Sequence, residues 1–226
     1  MRLPLWVVPV AKLATTALVV ALVYVGREVF EPVVLPEVNP AVSVRADCPS
    51  LDSRGVYFWY DTFPGRAAGA SQWALQLEVA GERSLSCGPS LAAETLRLTL
   101  VPDGHPTVVV RLDRWRGGAS AVAIEVPEVP AHGTEWPAVK PSLRLDRRIT
   151  EEEFLDLGTA LDRSGAWSPY GVSGAVSSGS HWIIERRRGP AYNAAHRFAP
   201  GPGPFRDACL LFLKAADLKI PAAELN

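Results

Sequence analysis

The chain has 226 residues, a formal net charge of −1 and three cysteines. That length leaves room for one domain of ordinary size, large enough to bury a core without staples. The near-zero charge gives no electrostatic reason to expect nucleic acid as a partner, and no pair of cysteines has the C-x-x-C spacing of a metal site.

The N-terminus sets the expected compartment. Leu13 to Gly26 is apolar and carries no charge. Together with Leu5 to Ala11 it is long enough to span a bilayer, with Lys12 as the cost. Arg2 and Lys12 lie on its N-terminal side, whereas Arg27 is surrounded by Glu28 and Glu31. The positive-inside rule then places the N-terminus in the cytoplasm and the bulk of the chain outside. Small residues of the Ala-x-Ala kind are missing at the end of the run, so residues 1–28 read as an uncleaved signal-anchor rather than a cleaved signal peptide. The expected location is the cytoplasmic membrane, single-pass. Residues 29–40 carry three prolines and read as an extended linker. Residues 41–226 remain for an extracytoplasmic domain.

Within that domain, Ala41 to Arg45 suggests a first edge strand, and Val56 to Tyr60 a strongly β-prone aromatic one. Gln72 to Val79 alternates with period two: Trp73, Leu75, Leu77 and Val79 share one face, and Gln72, Gln76 and Glu78 the other. This predicts a half-buried antiparallel strand. Ala80 to Arg83 is a turn. Leu96 to Leu100 alternates in the same way, Asp103-Gly104 is a hairpin signal, and Thr107 to Leu112 pairs back. Ala119 to Val126 is a further strand. Pro127 to Pro141, with four prolines, is a connection. Short strands with turn signals between them argue for an antiparallel sheet rather than βαβ units.

Ile149-Thr150-Glu151-Glu152-Glu153-Phe154 is the clearest local signal. Thr150 and Glu153 have capping-box spacing, and Ile149 and Phe154 have that of a hydrophobic staple. The three acids suit the positive end of a helix dipole. The predicted helix, Thr150 to Arg163, buries Phe154, Leu157 and Leu161. After a Ser/Gly loop, His181 to Arg186 and Tyr192 to Phe198 form a hairpin about Arg188-Gly189-Pro190. Pro204 then opens a helix running from Phe205 to about Leu218, apolar nearly all round and expected at the centre of the core. The fold class expected is α+β: an antiparallel sheet packed by two helices, preceded by one transmembrane helix.

This C-terminal region carries a recognisable set. It comprises Gly165-Ala166-Trp167-Ser168-Pro169, Trp182 with Glu185, Gly189 with Tyr192, Arg197 with Pro200, and Gly203-Pro204-Phe205-Arg206 with Cys209-Leu210. The set resembles a pattern of small bacterial proteins with an N-terminal signal or anchor and W-x-x-E, G-x-Y and R-x-x-P in this order. The resemblance runs from about Ile149 to Leu218. It departs in the bare Gly/Ser loop before the hairpin, and it implies no activity.

Several constellations bear on chemistry. In one hairpin register His181, Ile183 and Glu185 share a face with Ala194, His196 and Phe198. Two imidazoles and a carboxylate could converge there, as a metal or acid–base site requires. A one-residue slip dissolves the group. His181, Glu185, His196 and Arg197 are the candidate ligand-binding residues; Glu185 and Arg197 have a plainer reading as charged or backbone-bonding groups that fix the hairpin against its loops. Arg186-Arg187-Arg188 reads as a solvated hairpin tip. Cys48 and Cys87 are candidates for a disulfide, and Cys209 for a small core residue. The Ser/Gly loop has neither a G-x-S-x-G elbow nor a Gly-Lys-Ser/Thr phosphate loop. Trp59, Trp73 and Trp167 are core candidates more than a glycan groove. No catalytic residue, metal or cofactor is assigned. The expected function is a non-enzymatic envelope protein that binds another envelope component or protein. One alternative is a hydrolase, metal-dependent or otherwise, using His181, Glu185 and His196. The other is an immunity or inhibitor protein against an envelope toxin, with Arg187 exposed on its binding surface.

Overall fold

A computed structural model describes residues 42–43, 70–89, 91–127, 140–168, 179–221 and 225. The expected anchor (1–28), the linker (29–40), the Val56–Tyr60 strand, Cys48 and Trp59 lie outside the described residues. Among the described residues no helix is long and apolar enough to cross a membrane.

The fold is α+β. Among the described residues seven strands form one antiparallel sheet: β1 (Val42–Ser43), β2 (Glu94–Val101), β3 (Thr107–Trp115), β4 (Gly118–Val126), β5 (Leu143–Ile149), β6 (His181–Arg188) and β7 (Ala191–Phe198). Their spatial order is β1-β7-β6-β2-β3-β4-β5. The hairpins close where the sequence puts glycines in the left-handed region, at Gly104, Gly117 and Gly189. The β6–β7 hairpin pairs Ile183 with His196 and Glu185 with Ala194, which is the one register considered in which His181, Glu185 and His196 share a face.

Alternation within the strands divides the sheet into two faces. Leu96, Leu98 and Leu100 of β2, Val108, Val110 and Leu112 of β3, and Trp182 and Ile184 of β6 belong to one core. Two helices complete it, α2 (Glu151–Arg163) and α3 (Pro204–Ala215). Thr150 caps α2: its hydroxyl accepts from Glu153 N at 3.0 Å, and Glu153 Oε2 accepts from Thr150 N at 2.8 Å. Ile149 and Phe154 are both buried beneath the cap. Pro204 is the first residue of α3, where its missing N–H leaves nothing unpaired. Trp182 is fully buried, and its indole N–H donates to Ser180 Oγ at 2.6 Å.

The opposite face holds a second core of Val109, Val122, Ile124, Ile183, Tyr192 and Ala194. It is packed by α1 (Ala70–Val79), not by a further strand. Here the period-two reading of Gln72 to Val79 fails. Trp73 and Leu77 are also one helical turn apart, with Ala80 following on the same stripe, and all three are buried. Ala, Leu, Gln and Glu dominate the segment, and it has no β-branched residue before Val79, so local propensity favours the helix. A third helix thus packs the sheet where two were expected.

β5 had not been anticipated either. It is an edge strand whose side chains are mostly exposed, among them Arg144, Asp146 and Arg148. Such charges discourage edge-to-edge pairing and also hide the strand from a hydrophobicity reading.

Candidate functional site

The face under α1 concentrates the polar chemistry, because odd-numbered β2, β3 and β6 residues point there and meet the segment 80–89. Arg97 is fully buried. Its Nε donates to Glu185 Oε2 at 2.7 Å, its Nη2 lies 2.6 Å from the same oxygen, and its Nη1 donates to Arg83 O at 2.6 Å. Glu82 Oε2 is 3.5 Å from Arg97 Nη1, and the Tyr192 hydroxyl donates to Glu185 Oε1 at 2.9 Å. Burial opposes the charge on Arg97, but Glu185 and Glu82 outweigh it and hold the guanidinium pKa above its ordinary value. Burial raises the Glu185 carboxyl, against the pull of Arg97 and Tyr192. This is a buried ion pair with a hydroxyl completing the carboxylate's partners.

Beside it opens a cleft of about 250 Å³. Its charged lining consists of Arg83, Arg111, Arg144, Arg187, Glu82 and Asp113, with Leu85, Pro89 and Leu91 as apolar wall. Arg111 donates to Asp113 at 2.8 Å through Nε and to Glu82 through Nη1. Thr95 Oγ1 donates to the other Asp113 oxygen at 2.7 Å. Arg144 donates to Asp146 at 3.0 Å.

Arg187 differs from these. Only 6% of it is exposed, and its guanidinium donates to three backbone carbonyls: Cys87 O at 3.1 Å, Gly88 O at 2.6 Å and Gly189 O at 3.3 Å. No carboxylate faces it among the described residues, and burial alone pulls its pKa down. The reading of Arg186–Arg188 as a solvated tip is therefore corrected for Arg186 and Arg187, while Arg188 is exposed; that of Arg187 as an exposed binding residue is corrected too. β6 runs through all three arginines. Arg186 pairs with Glu94 at 2.6 Å and Asp162 at 2.8 Å, and Arg188 with Glu94 at 2.9 Å. The run is held by carboxylates from β2 and α2 and by carbonyls of the 87–88 segment, none of them near it in sequence.

His181 and His196 do meet, with Nδ1 of the first 2.9 Å from Nε2 of the second. Trp73 packs on both rings, with centroids 5.1 and 4.7 Å away, and Phe198 lies 4.8 Å from His181. Burial lowers the His181 pKa, offset in part by Asp103. Burial, then His181 and Arg197, push His196 down to about 4. Both imidazoles are neutral near pH 7, one donating its N–H to the other's bare nitrogen. Glu185 lies on the same face but is engaged by Arg97 and Tyr192, so the three groups do not converge. Among the described residues no group of three His, Cys, Asp or Glu is arranged to hold a metal ion.

Arg197 points to the other face. It donates to Ser168 O at 2.7 Å and Ala166 O at 3.3 Å, and its guanidinium lies over the Phe205 ring at 5.3 Å. It ties the hairpin to the segment after α2. Cys87 is disulfide-bonded, Cys209 is a free buried thiol, and Cys48 falls outside the described residues. Trp73 and Trp167 are buried.

The sequence reading missed Arg97, Glu82, Arg111 and Asp113. In Leu96-Arg97-Leu98-Thr99 the alternation marks Arg97 as lying opposite the apolar face. Residues 82–83, which follow α1, close over that side, so an apparently solvated arginine is buried. No protein-family model matches the chain, and no solved structure matches it.

Proposed function

We propose that the chain is a non-enzymatic, membrane-anchored protein of the bacterial envelope that binds another envelope component through the face carrying the charged cleft. The observation that carries the binding reading is that cleft. Four arginines line it, three of them on strands of the sheet, and one of these, Arg187, is buried with only carbonyl partners among the described residues. Concave sites with a few converging polar groups on a fixed scaffold are the ordinary form of a binding site.

The envelope placement rests on the uncharged run Leu13 to Gly26 with Arg2 and Lys12 before it. The resemblance to small anchor-bearing bacterial proteins supports the same placement, although Gly189 and Tyr192 stand one residue farther apart than its G-x-Y. The pairing of His181 with His196 and of Glu185 with Arg97 gives each of these groups a partner within the fold, which favours binding over hydrolysis.

The test is a crosslinking pull-down in cells carrying the full-length chain, with a fusion at the C-terminus to a reporter active only outside the cytoplasm. An active reporter and one partner recovered in stoichiometric amount are expected. An inactive reporter would overturn the envelope placement, and recovery of the chain alone would overturn the binding reading.

A further inference from the structure

From the lining of the cleft we infer that it takes a single carboxylate, presented by an acidic side chain of a partner polypeptide. The inference deepens the binding reading above and rests on it.

The argument starts with charge. Arg111 is matched by Glu82 and Asp113, Arg97 by Glu185 and Glu82, and Arg144 by Asp146. Arg187 has no such match among the described residues: its donors reach only the carbonyls of Cys87, Gly88 and Gly189 there, and it is 6% exposed. A buried cation without a counter-ion is costly, and dipoles of neutral carbonyls offset only part of that cost. An anion entering the cleft supplies the missing charge in a setting of low effective dielectric, where it is worth more than at an open surface.

The same lining selects among anions. Glu82 and Asp113 are already in the wall, so a dianion is repelled more strongly than a monoanion. A guanidinium fork suits the two oxygens of a carboxylate. The non-charged wall is apolar: Leu85 is buried beneath it, and Leu91 stands at its edge, 78% exposed. The methylene stem of a glutamate side chain fits against such a wall, whereas a free inorganic ion leaves it unused. A volume of about 250 Å³ suits a side chain and not a large cofactor.

The probe is N-acetylglutamate amide, with one side-chain carboxylate, titrated calorimetrically into the full-length chain in detergent. N-acetylglutamine amide and inorganic phosphate are run beside it. Saturable one-site binding of the glutamate probe is expected. The glutamine probe should bind at least about tenfold more weakly, since it lacks the charge. Arg187→Gln should abolish the glutamate signal. Because that position is buried, Arg144→Ala serves as the second variant; it is half-exposed and should weaken binding about threefold in a chain with unchanged melting. Equal binding of the two amides, or wild-type affinity in both variants, overturns the inference. Phosphate binding tighter than the glutamate probe overturns the choice of a monoanion. If the probe fails while the pull-down still recovers its partner, the carboxylate inference falls and the binding reading stands.

Discussion

Removing the charge from Glu185 is the sharpest test of the buried network. Glu185 and Arg97 are both completely inaccessible, with side-chain exposures of 0% and an N–O separation of 2.6 Å. At the effective dielectric that suits such pairs, two unit charges about 4 Å apart interact by about 4 kcal/mol. Breaking a buried pair by deleting one partner costs about 3–5 kcal/mol, because the other charge stays buried. Glu82 remains 3.5 Å from Arg97 Nη1, and Arg83 O still accepts, so Glu185→Gln belongs at the low end, about 3 kcal/mol. For a domain of this size that is a fall in melting temperature of about 6–12 °C. The assay is thermal and urea unfolding of the full chain. The combined variant Arg97→Met, Glu185→Leu, Tyr192→Phe removes both charges and the hydroxyl that would lose its acceptor, and should regain most of the loss. A Glu185→Gln chain within about 0.5 kcal/mol of wild type would refute the reasoning.

Three further outcomes follow from the same geometry. Thr150→Ala removes the acceptor for Glu153 N and should cost about 1 kcal/mol; an unchanged urea midpoint would count against the cap. His196 titrates near 4 in the fold against about 6.5 when unfolded, so the unfolded chain binds more protons between those values. Stability should therefore be full above about pH 6.5 and decline as pH falls toward 4, and His196→Gln should flatten that decline in urea midpoints; parallel profiles would contradict it. Glu153 is held below its usual range by the Thr150 backbone N–H, so the cap should persist to mildly acid pH and be lost only as pH falls through the depressed value. An amide-exchange profile of the first turn of α2 that opens near neutral pH would argue otherwise.

Legibility in the sequence tracked the locality of the determinants. The capping box and staple of α2 lie within six consecutive residues, and their geometry follows from spacing alone. The β6–β7 hairpin was legible because Gly189-Pro190 marks the turn, but its register stayed open because both faces are apolar and buried. Gln72 to Val79 was misread because Trp73, Leu75 and Leu77 satisfy both a period of two and part of a helical stripe. The choice was made by propensity and by the face that α1 covers. β5 was missed because an edge strand guarded by arginines lacks the apolar alternation that marks a strand. The candidate site was the least legible part. Arg97, Arg111 and Arg187 come from three strands, and their partners Glu82, Asp113 and the carbonyls of Cys87 and Gly88 lie mostly elsewhere in the chain. Nothing in local pattern distinguishes such an arginine from one that faces water. His181 and His196 lie together, as in the one register considered, but Glu185 is drawn away by Arg97, which alternation alone did not single out.

The most direct test of the central claim is positional. A photocrosslinking amino acid is placed in the full-length chain, in cells, either at Leu91 on the rim of the cleft or at Asp156 on the exposed side of α2 across the sheet. Binding through the cleft face predicts one discrete adduct from position 91, lost in Arg187→Gln, and none from position 156. Adducts of equal yield from both positions, or an adduct from 156 alone, would contradict it.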